Sequence, residues 1–483
     1  MTATNYTDDE PNEQTRLLSP SKKGKGPTPL PKMQLGILML LQLAEPMTSQ
    51  CIYPFINQLV GELDITGGDA RKVGYYAGLI QSLFFATEAL FILQWSLLSD
   101  RIGRKPVLLI GSAGLCISMI CFGLARTFWG LVASRCLVGI LNGNTGVMKS
   151  MVAELTDSTN LAQAFSLMPV VWCIGATAGP LMGGTLSRPH DRWPRVFSHP
   201  FWIEYPYFLP CAASSVISAV VFLISGIFLK ETVQKNKTSK SVDVEPIHHI
   251  DVPPQNKIQD GPLPLREVLT RPVVIAVANY GMLALLEIAY CAIQPLFYSM
   301  PIELGGLGQS PASIGLILGA GGFSNGLFQA FFFPKIVGKW GPKKVFMVGM
   351  LAFIPMFGLF PVINQLARES GMTQTVWALV GLQLLVSIIM DLSYGCIFMF
   401  ITAAAPNRQS LGATNGIGQV VASVLRAIGP AASTSLFAAS VENNWLGGYA
   451  VFLILIIGSC LSFFVADMLP GDAFATTSKN EES

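Results

Sequence analysis

Apolar runs of about twenty residues recur along this 483-residue chain, separated by short polar stretches. A hydrocarbon core ~30 Å thick takes about 20 helical residues to cross. The runs predict twelve spans: 34–58, 75–98, 106–125, 128–150, 163–187, 208–230, 272–298, 311–333, 343–363, 376–400, 410–439 and 446–468. A helix satisfies its backbone hydrogen bonds internally, as a membrane interior requires, so the expected fold class is an all-α membrane protein with 12 transmembrane helices. Residues 1–32 and 470–483 read as tails. The first is polar and proline-rich, predicted disordered, and lacks the apolar core of a cleaved signal peptide. Residues 231–270, containing "VDVEPIHHIDVPPQNK", read as a linker between one bundle over 33–230 and another over 271–469.

Composition supports the same class. The chain is 51% hydrophobic and 12% charged, whereas soluble domains carry about 25% charged residues. A net charge of +2, with no interleaving of basic and aromatic residues outside the loops, speaks against nucleic acid as a partner. Lys and Arg mark the cytosolic side of membrane proteins. With the amino terminus in the cytosol, the tails and even-to-odd loops, counted with Lys149, Lys230, Lys343 and Lys344 at the span ends that border them, hold 22 of the 31 basic residues, the opposite loops hold seven, and Arg135 and Arg426 lie deeper within spans. Both termini are therefore expected to be cytosolic. All nine cysteines fall within spans and none forms a Cys-x-x-Cys pattern, so neither a disulfide framework nor a metal site is expected.

"SDRIGRKP", residues 99–106, concentrates Asp100, Arg101, Arg104 and Lys105 in the turn between spans 2 and 3. Gly103 permits a tight reversal, and Pro106 suits the first turn of the next helix. Topological anchoring accounts for the bases but does not call for Asp100, a carboxylate able to meet the positive end of a helix dipole. Glu154 and Asp157, just past span 4, lie within reach of Arg101 or Arg104, which predicts a cytosolic latch. "GKWGPKK", 338–344, echoes the motif at an offset of 238 residues, with Gly341 on Gly103, Lys343 on Lys105, and Gly338 in place of the acid. "GP" recurs at 179–180 and 429–430, and an acid precedes a proline in span 1 (Glu45, Pro54) and in span 7 (Glu287, Pro295). These offsets predict two six-helix bundles related by a parallel repeat.

In span 5, Gly175, Gly179 and Gly183 recur every four residues, with Gly184 following. They leave a stripe on which another helix can pack closely, while Pro180 favours a bend. That combination suits a hinge or seal between the halves; ordinary helix packing is the alternative. "LLSDRIGRKP" resembles the cytosolic loop signature of the major facilitator superfamily, "RCLVGILNG" (135–143) its span 4 arginine motif, and "GATAGPLMGG" (175–184) its antiporter motif. Together with "ATNGIGQVVASVLRAIGP" (413–430), they make the chain similar from residue 33 to 468 to fungal drug:proton antiporters related to tetracycline exporters and zinc-induced-facilitator-like proteins. Ser96 and Ser166 stand where those motifs carry glycine. The resemblance implies the major facilitator fold, rocking of two halves about a midplane site, and a cavity lined by spans 1, 4, 7, 10 and 11.

An Asp, Lys or Arg at the bilayer centre costs at least ~2.5–3.5 kcal/mol on insertion scales. Six ionisable residues lie in spans at that kind of depth: Glu45, Glu88, Arg135, Glu287, Asp391 and Arg426. Glu45 and Glu287, near mid-span in equivalent helices, are the first choices for proton exchange or for pairing with a cationic solute. Arg135 is expected to stabilise an acid, and Asp391 to play a similar part in the second half. Static pairs that fix helix register are the alternative. Gln50 and Tyr290, with Gln42, Gln81, Trp172, Asn279 and Gln294, are candidates to line the cavity. Several buried acids without a compensating buried lysine predict affinity for cations or amphipathic weak bases.

Weaker signals lie in the polar segments. His248 and His249 read as solvated linker, the sequons at Asn5 and Asn236 as cytosolic and unmodified, and "EQTRLL" (Glu13 to Leu18) as an acidic dileucine sorting signal. No phosphate loop, His-Glu-x-x-His site or His-x4-Asp pair occurs, so no enzyme is expected. The expected function is secondary active efflux of a small-molecule solute in exchange for protons. The proton gradient serves as energy source, no cofactor is needed, and the protein is a monomer in the lipid bilayer of the plasma or vacuolar membrane. Proton-coupled uptake or facilitated diffusion, and a non-transporting receptor, remain as other readings.

Overall fold

The computed structural model describes residues 29–156, 160–232, 265–406 and 410–471. Most of both tails and of the expected linker, the sorting signal, both sequons, His248, His249 and Asp157 lie outside the described residues, as does the side chain of Asp100. The first bundle contains α1 (Lys32–Ile52), α2 (Ile56–Gly61), α3 (Val73–Ile102), α4 (Arg104–Leu124), α5 (Phe128–Leu141), α6 (Asn144–Leu155), α7 (Leu161–Leu186), α8 (Pro189–Arg192), α9 (Phe201–Glu204) and α10 (Phe208–Phe228). The second contains α11 (Leu265–Val268), α12 (Arg271–Ser299), α13 (Pro311–Trp340), α14 (Pro342–Ser370), α15 (Gln374–Ala404), α16 (Leu411–Glu442) and α17 (Ala450–Asp467).

Among the described residues, eleven helices are long and apolar enough to cross a membrane. The twelfth crossing, span 4, is made by α5 and α6 together. Asn142 leaves helical geometry at ψ 76°, and Gly143 follows, where a side chain would strike Trp95. The Trp95 indole N–H donates to the Ile140 carbonyl at 2.6 Å, answering an acceptor near the interruption. Span 1 likewise ends at Ile52, and the chain turns through Pro54 before α2. Pro54 therefore lies outside the helix whereas Pro295 lies inside α12, and the expected match between these two prolines fails. Helix α7 runs unbroken through Pro169 and Pro180.

Twelve crossings put the first and last described residues on one side, the terminal face; the opposite side is the far face. Within the first bundle α1 packs on α7 and α10, and α4 on α10; within the second α12 packs on α16, and α14 on α15 and α17. The bundles meet along two helix pairs, α3 with α16 and α7 with α13. Backbones approach closely there because glycines face them. Side chains at Gly74 or Gly78 would run into Thr434, and one at Gly184 would meet Gly315. Gly319, Gly322 and Gly326 seat on Leu181, Ala176 and Cys173 in turn. These approaches lie between the far face and mid-span. The Tyr75 hydroxyl donates to Glu442 at 3.3 Å and the Ala431 N–H to Ser82 Oγ at 2.8 Å in the same half of the membrane. The junction is thus sealed on the far face.

The span 5 stripe has a different partner from the one expected. Gly175, Gly179 and Gly183 face Pro46, Met47, Gln50 and Cys51 of α1, so they close the first bundle on itself. Their four-residue spacing marks one helix face but not which neighbour occupies it. Of the motif's glycines, only Gly184 reaches the other bundle, at Gly315, beside Ala176, Pro180 and Leu181.

Gly183→Val drives a side chain into the Cys51 backbone within one bundle. It should lower the thermal unfolding midpoint in detergent by several degrees, since overpacking costs about 1–3 kcal/mol. Gly315→Val, placed between bundles, should leave that midpoint near wild type. It should instead raise maleimide labelling of a cysteine introduced at Asn57, which is buried in the sealed state.

Candidate functional site

Breaking span 4 creates a helix N-terminus inside the membrane, and the positive end of a helix attracts carboxylates. Glu45 of α1 takes that position. The Thr145 hydroxyl, in the first turn of α6, donates to Glu45 Oε2 at 3.1 Å. Asn142 Nδ2, at the break, donates to Glu45 Oε1 and to Glu88 Oε1 of α3, at 3.2 Å each. Glu88 and Asn142 are buried, 8% and 2% exposed, and Asn142 Oδ1 has no partner.

The second bundle holds its acid differently. Glu287 of α12 accepts from the Tyr394 hydroxyl of α15 at 2.8 Å. Arg426 of α16 donates to that hydroxyl oxygen at 3.1 Å and stands 3.6 Å from the Glu287 carboxylate. Tyr394 therefore bridges an ion pair. The Arg426 and Glu287 side chains retain 23% and 21% exposure; with the far face sealed, their access runs to the terminal face. Arg426 is also near enough to Glu45, Glu88 and Lys149 for its charge to act on each. A single charged site thus spans both bundles.

Lys149 is a member of the site that the sequence assigned to the cytosolic loops. It closes an apolar run and reads as an anchor, but the break in span 4 carries α6 inward. Its ammonium stands over the Phe398 ring of α15, 5.8 Å from the centroid. This overturns the expectation that no lysine offsets the buried acids. Asn142, Thr145 and Tyr394 were also missed. For Asn142 and Thr145 the signal was "LNGN" at 141–144, a turn-like punctuation inside an apolar run.

Other candidates fall elsewhere. Asp391 lies on α15, one turn before Tyr394, the residue that holds Glu287. Arg135 stacks on the Phe84 ring at 4.8 Å and joins no acid among the described residues, so its expected acid partner is absent from this conformation. Tyr290 does not line the cavity. Tyr290, Gln294 and Tyr298 repeat every four residues along one face of α12, and Gln294 Nε2 donates to both hydroxyls, at 2.8 and 3.2 Å, inside the second bundle. Asn279 likewise ties α12 to the Val465 carbonyl at 3.1 Å. Gln50 lies against Gly179; Gln42 and Gln81 are buried with Oε1 unpartnered; Trp172 is exposed.

On the terminal face, Gly103 turns α3 into α4 at φ 110°, and Gly341 does the same between α13 and α14 at φ 80°. Both values favour glycine. Arg104 donates from Nε and Nη2 to Glu154 Oε1 at 3.1 and 3.0 Å, and from Nη1 to Ser99 Oγ at 2.5 Å. Glu231, beyond α10, accepts from the backbone N–H groups of Arg104 and Lys105 at 2.9 and 3.0 Å. The carboxylate on this helix N-terminus is thus Glu231, a residue the sequence reading did not single out. Arg101 is exposed. The second bundle ties the same elements through Lys343 Nζ, 2.7 Å from the Asp467 carbonyl and 3.3 Å from its Oδ1. Both clamps act within a bundle, not between bundles.

Residues 38–430 match the family model described as Major Facilitator Superfamily. The chain is 31% identical to the major facilitator-type transporter psiT2 of Psilocybe cyanescens, covering 92% of this chain and 94% of that protein. It is 30% identical to the efflux pump azaK of Aspergillus niger, covering 87% and 85%. Among solved structures, the human organic anion transporter MFSD10 superposes with a TM-score of 0.61 at 19% identity, covering 91% of this chain and all of that one.

Arg426→Met leaves Glu287 charged without its ion-pair partner and should cost about 3–5 kcal/mol. Adding Glu287→Gln should recover most of the loss. A double-mutant cycle of thermal unfolding in detergent measures the coupling; strictly additive effects would show that the two side chains act separately.

Proposed function

Because the chain belongs to the major facilitator superfamily, and is a multi-pass membrane transporter and not an enzyme, we propose that it is a proton-coupled antiporter exporting small organic solutes from the cytosol. The observation that carries this reading is the junction site: Glu45 from one bundle and the partly exposed Glu287–Arg426 pair from the other lie at mid-membrane between halves whose backbones meet on a single face. With the terminal face in the cytosol, as the basic loops favour, this conformation loads from the cytosol. Parting α3 from α16 and α7 from α13 on the far face would release the cargo there.

Exchange follows from charge. A carboxylate can neutralise either a proton or a cationic solute, so one displaces the other. A gradient of one pH unit supplies about 1.4 kcal/mol per proton, enough for about tenfold accumulation of a singly charged solute exchanged one for one. The similarity to an efflux pump supports the outward direction. The cytosol is the donor compartment whether the membrane is plasma or vacuolar, and the proton gradient replaces any cofactor.

Flux of a panel of weak bases in proteoliposomes of known orientation tests the proposal, with wild type beside Glu45→Gln and Glu287→Gln. Wild type should concentrate solute only when protons run the opposite way, and at least one variant should lose that coupling. Equilibration indifferent to pH, with both variants active, would make the protein a facilitator.

A further inference from the structure

Lys149 is the charged group of the junction site that proton exchange leaves unused. Thr145 and Lys149 stand four residues apart on α6, and Tyr394 and Phe398 four apart on α15, so each pair shares a helix face. Thr145 holds Glu45 and Tyr394 holds Glu287. The acids therefore form one layer of the junction site. Lys149 and Phe398 form the next, one helical turn, about 5.4 Å, nearer the terminal face. Tyr280 joins this second layer edge-on, its ring 5.4 Å from Phe398 and 6.4 Å from Tyr394.

Lys149 makes no hydrogen bond or ion pair among the described residues; its one contact with a charge-stabilising group is the Phe398 ring. The nearest acid, Glu45, already has both carboxylate oxygens engaged by Asn142 and Thr145. A ring face offsets only part of the cost of holding an ammonium within a membrane span. A cation held this way, partly exposed, is set to receive an anion.

We propose that the transported solute is a zwitterion. Resting on the antiport reading, its ammonium replaces the proton in the acid layer, its carboxylate or phosphate pairs with Lys149, and its apolar body packs on the Phe398 face that Lys149 vacates, a ring that is 40% exposed. The cationic-solute expectation drawn from the acids alone describes only half of such a molecule.

The test uses three matched probes, phenethylamine, phenylacetate and phenylalanine, binding to the full chain in nanodiscs. Wild type should prefer phenylalanine to either singly charged probe by about tenfold, the equivalent of one charge-assisted contact of about 1.4 kcal/mol. Lys149→Gln should abolish that preference and Lys149→Arg should restore it, with thermal midpoints recorded to show that each variant is folded. No preference for phenylalanine in wild type, or a preference that survives Lys149→Gln, overturns the proposal. Gradient-driven flux of phenethylamine by wild-type proteoliposomes is scored separately. Coupled flux without zwitterion preference would refute this inference alone, and uncoupled flux would refute the antiport reading beneath it.

Discussion

A charge inside a membrane has to be answered locally, and in this protein the answers come from interrupted or facing helices. Glu45 is met by the N-terminal turn that the Asn142–Gly143 break creates, and Glu287 by a tyrosine and an arginine from two further helices. Removing either answer strands a carboxyl where insertion is costly. The break therefore has a purpose beyond bending span 4. It sets the Asn142 and Thr145 side chains at mid-membrane, where they donate to Glu45, and it carries Lys149 to face the opposite bundle.

The halves are held by contacts of a different kind. Glycines on α3, α7 and α13 let backbones meet directly on the far-face side, a packing that gains little from hydrophobic burial in lipid and depends on shape. At Pro430 the ring removes a ladder hydrogen bond from α16, and the next residue's N–H donates across the junction to Ser82. Such contacts can be exchanged at modest cost. The clamps Arg104–Glu154, Glu231 on α4, and Lys343–Asp467 stay inside their bundles, so each half can move as a rigid unit while the junction rearranges.

Much of this was legible in the sequence. Run length gave the crossings because membrane thickness imposes it, and the offset of "DRIGRKP" from "GKWGPKK" gave turns whose glycines both adopt positive φ. Glu45, Glu287 and Arg426 stood out because charge is rare at that depth. The rest depended on three-dimensional neighbours. Gly175, Gly179 and Gly183 announced a packing face but not that α1 fills it. Tyr290 carried a cavity-like polar group, yet its four-residue spacing to Gln294 and Tyr298 satisfied it inside one bundle. Lys149 was misread because hydropathy averages over a break of two residues, and Glu231 because it follows the last apolar residue of its span.

Under the proposed antiport, protonation of the junction acids sets the balance between the two faces. Spin labels placed on the far-face ends of α3 and α16 report that balance directly, through their distance distribution as pH is stepped in nanodiscs without solute. The population of the sealed far face should change with pH in wild type and become pH-independent when Glu45 and Glu287 are both replaced by glutamine. A distribution that ignores pH in wild type, or responds equally in the doubly substituted chain, would contradict it.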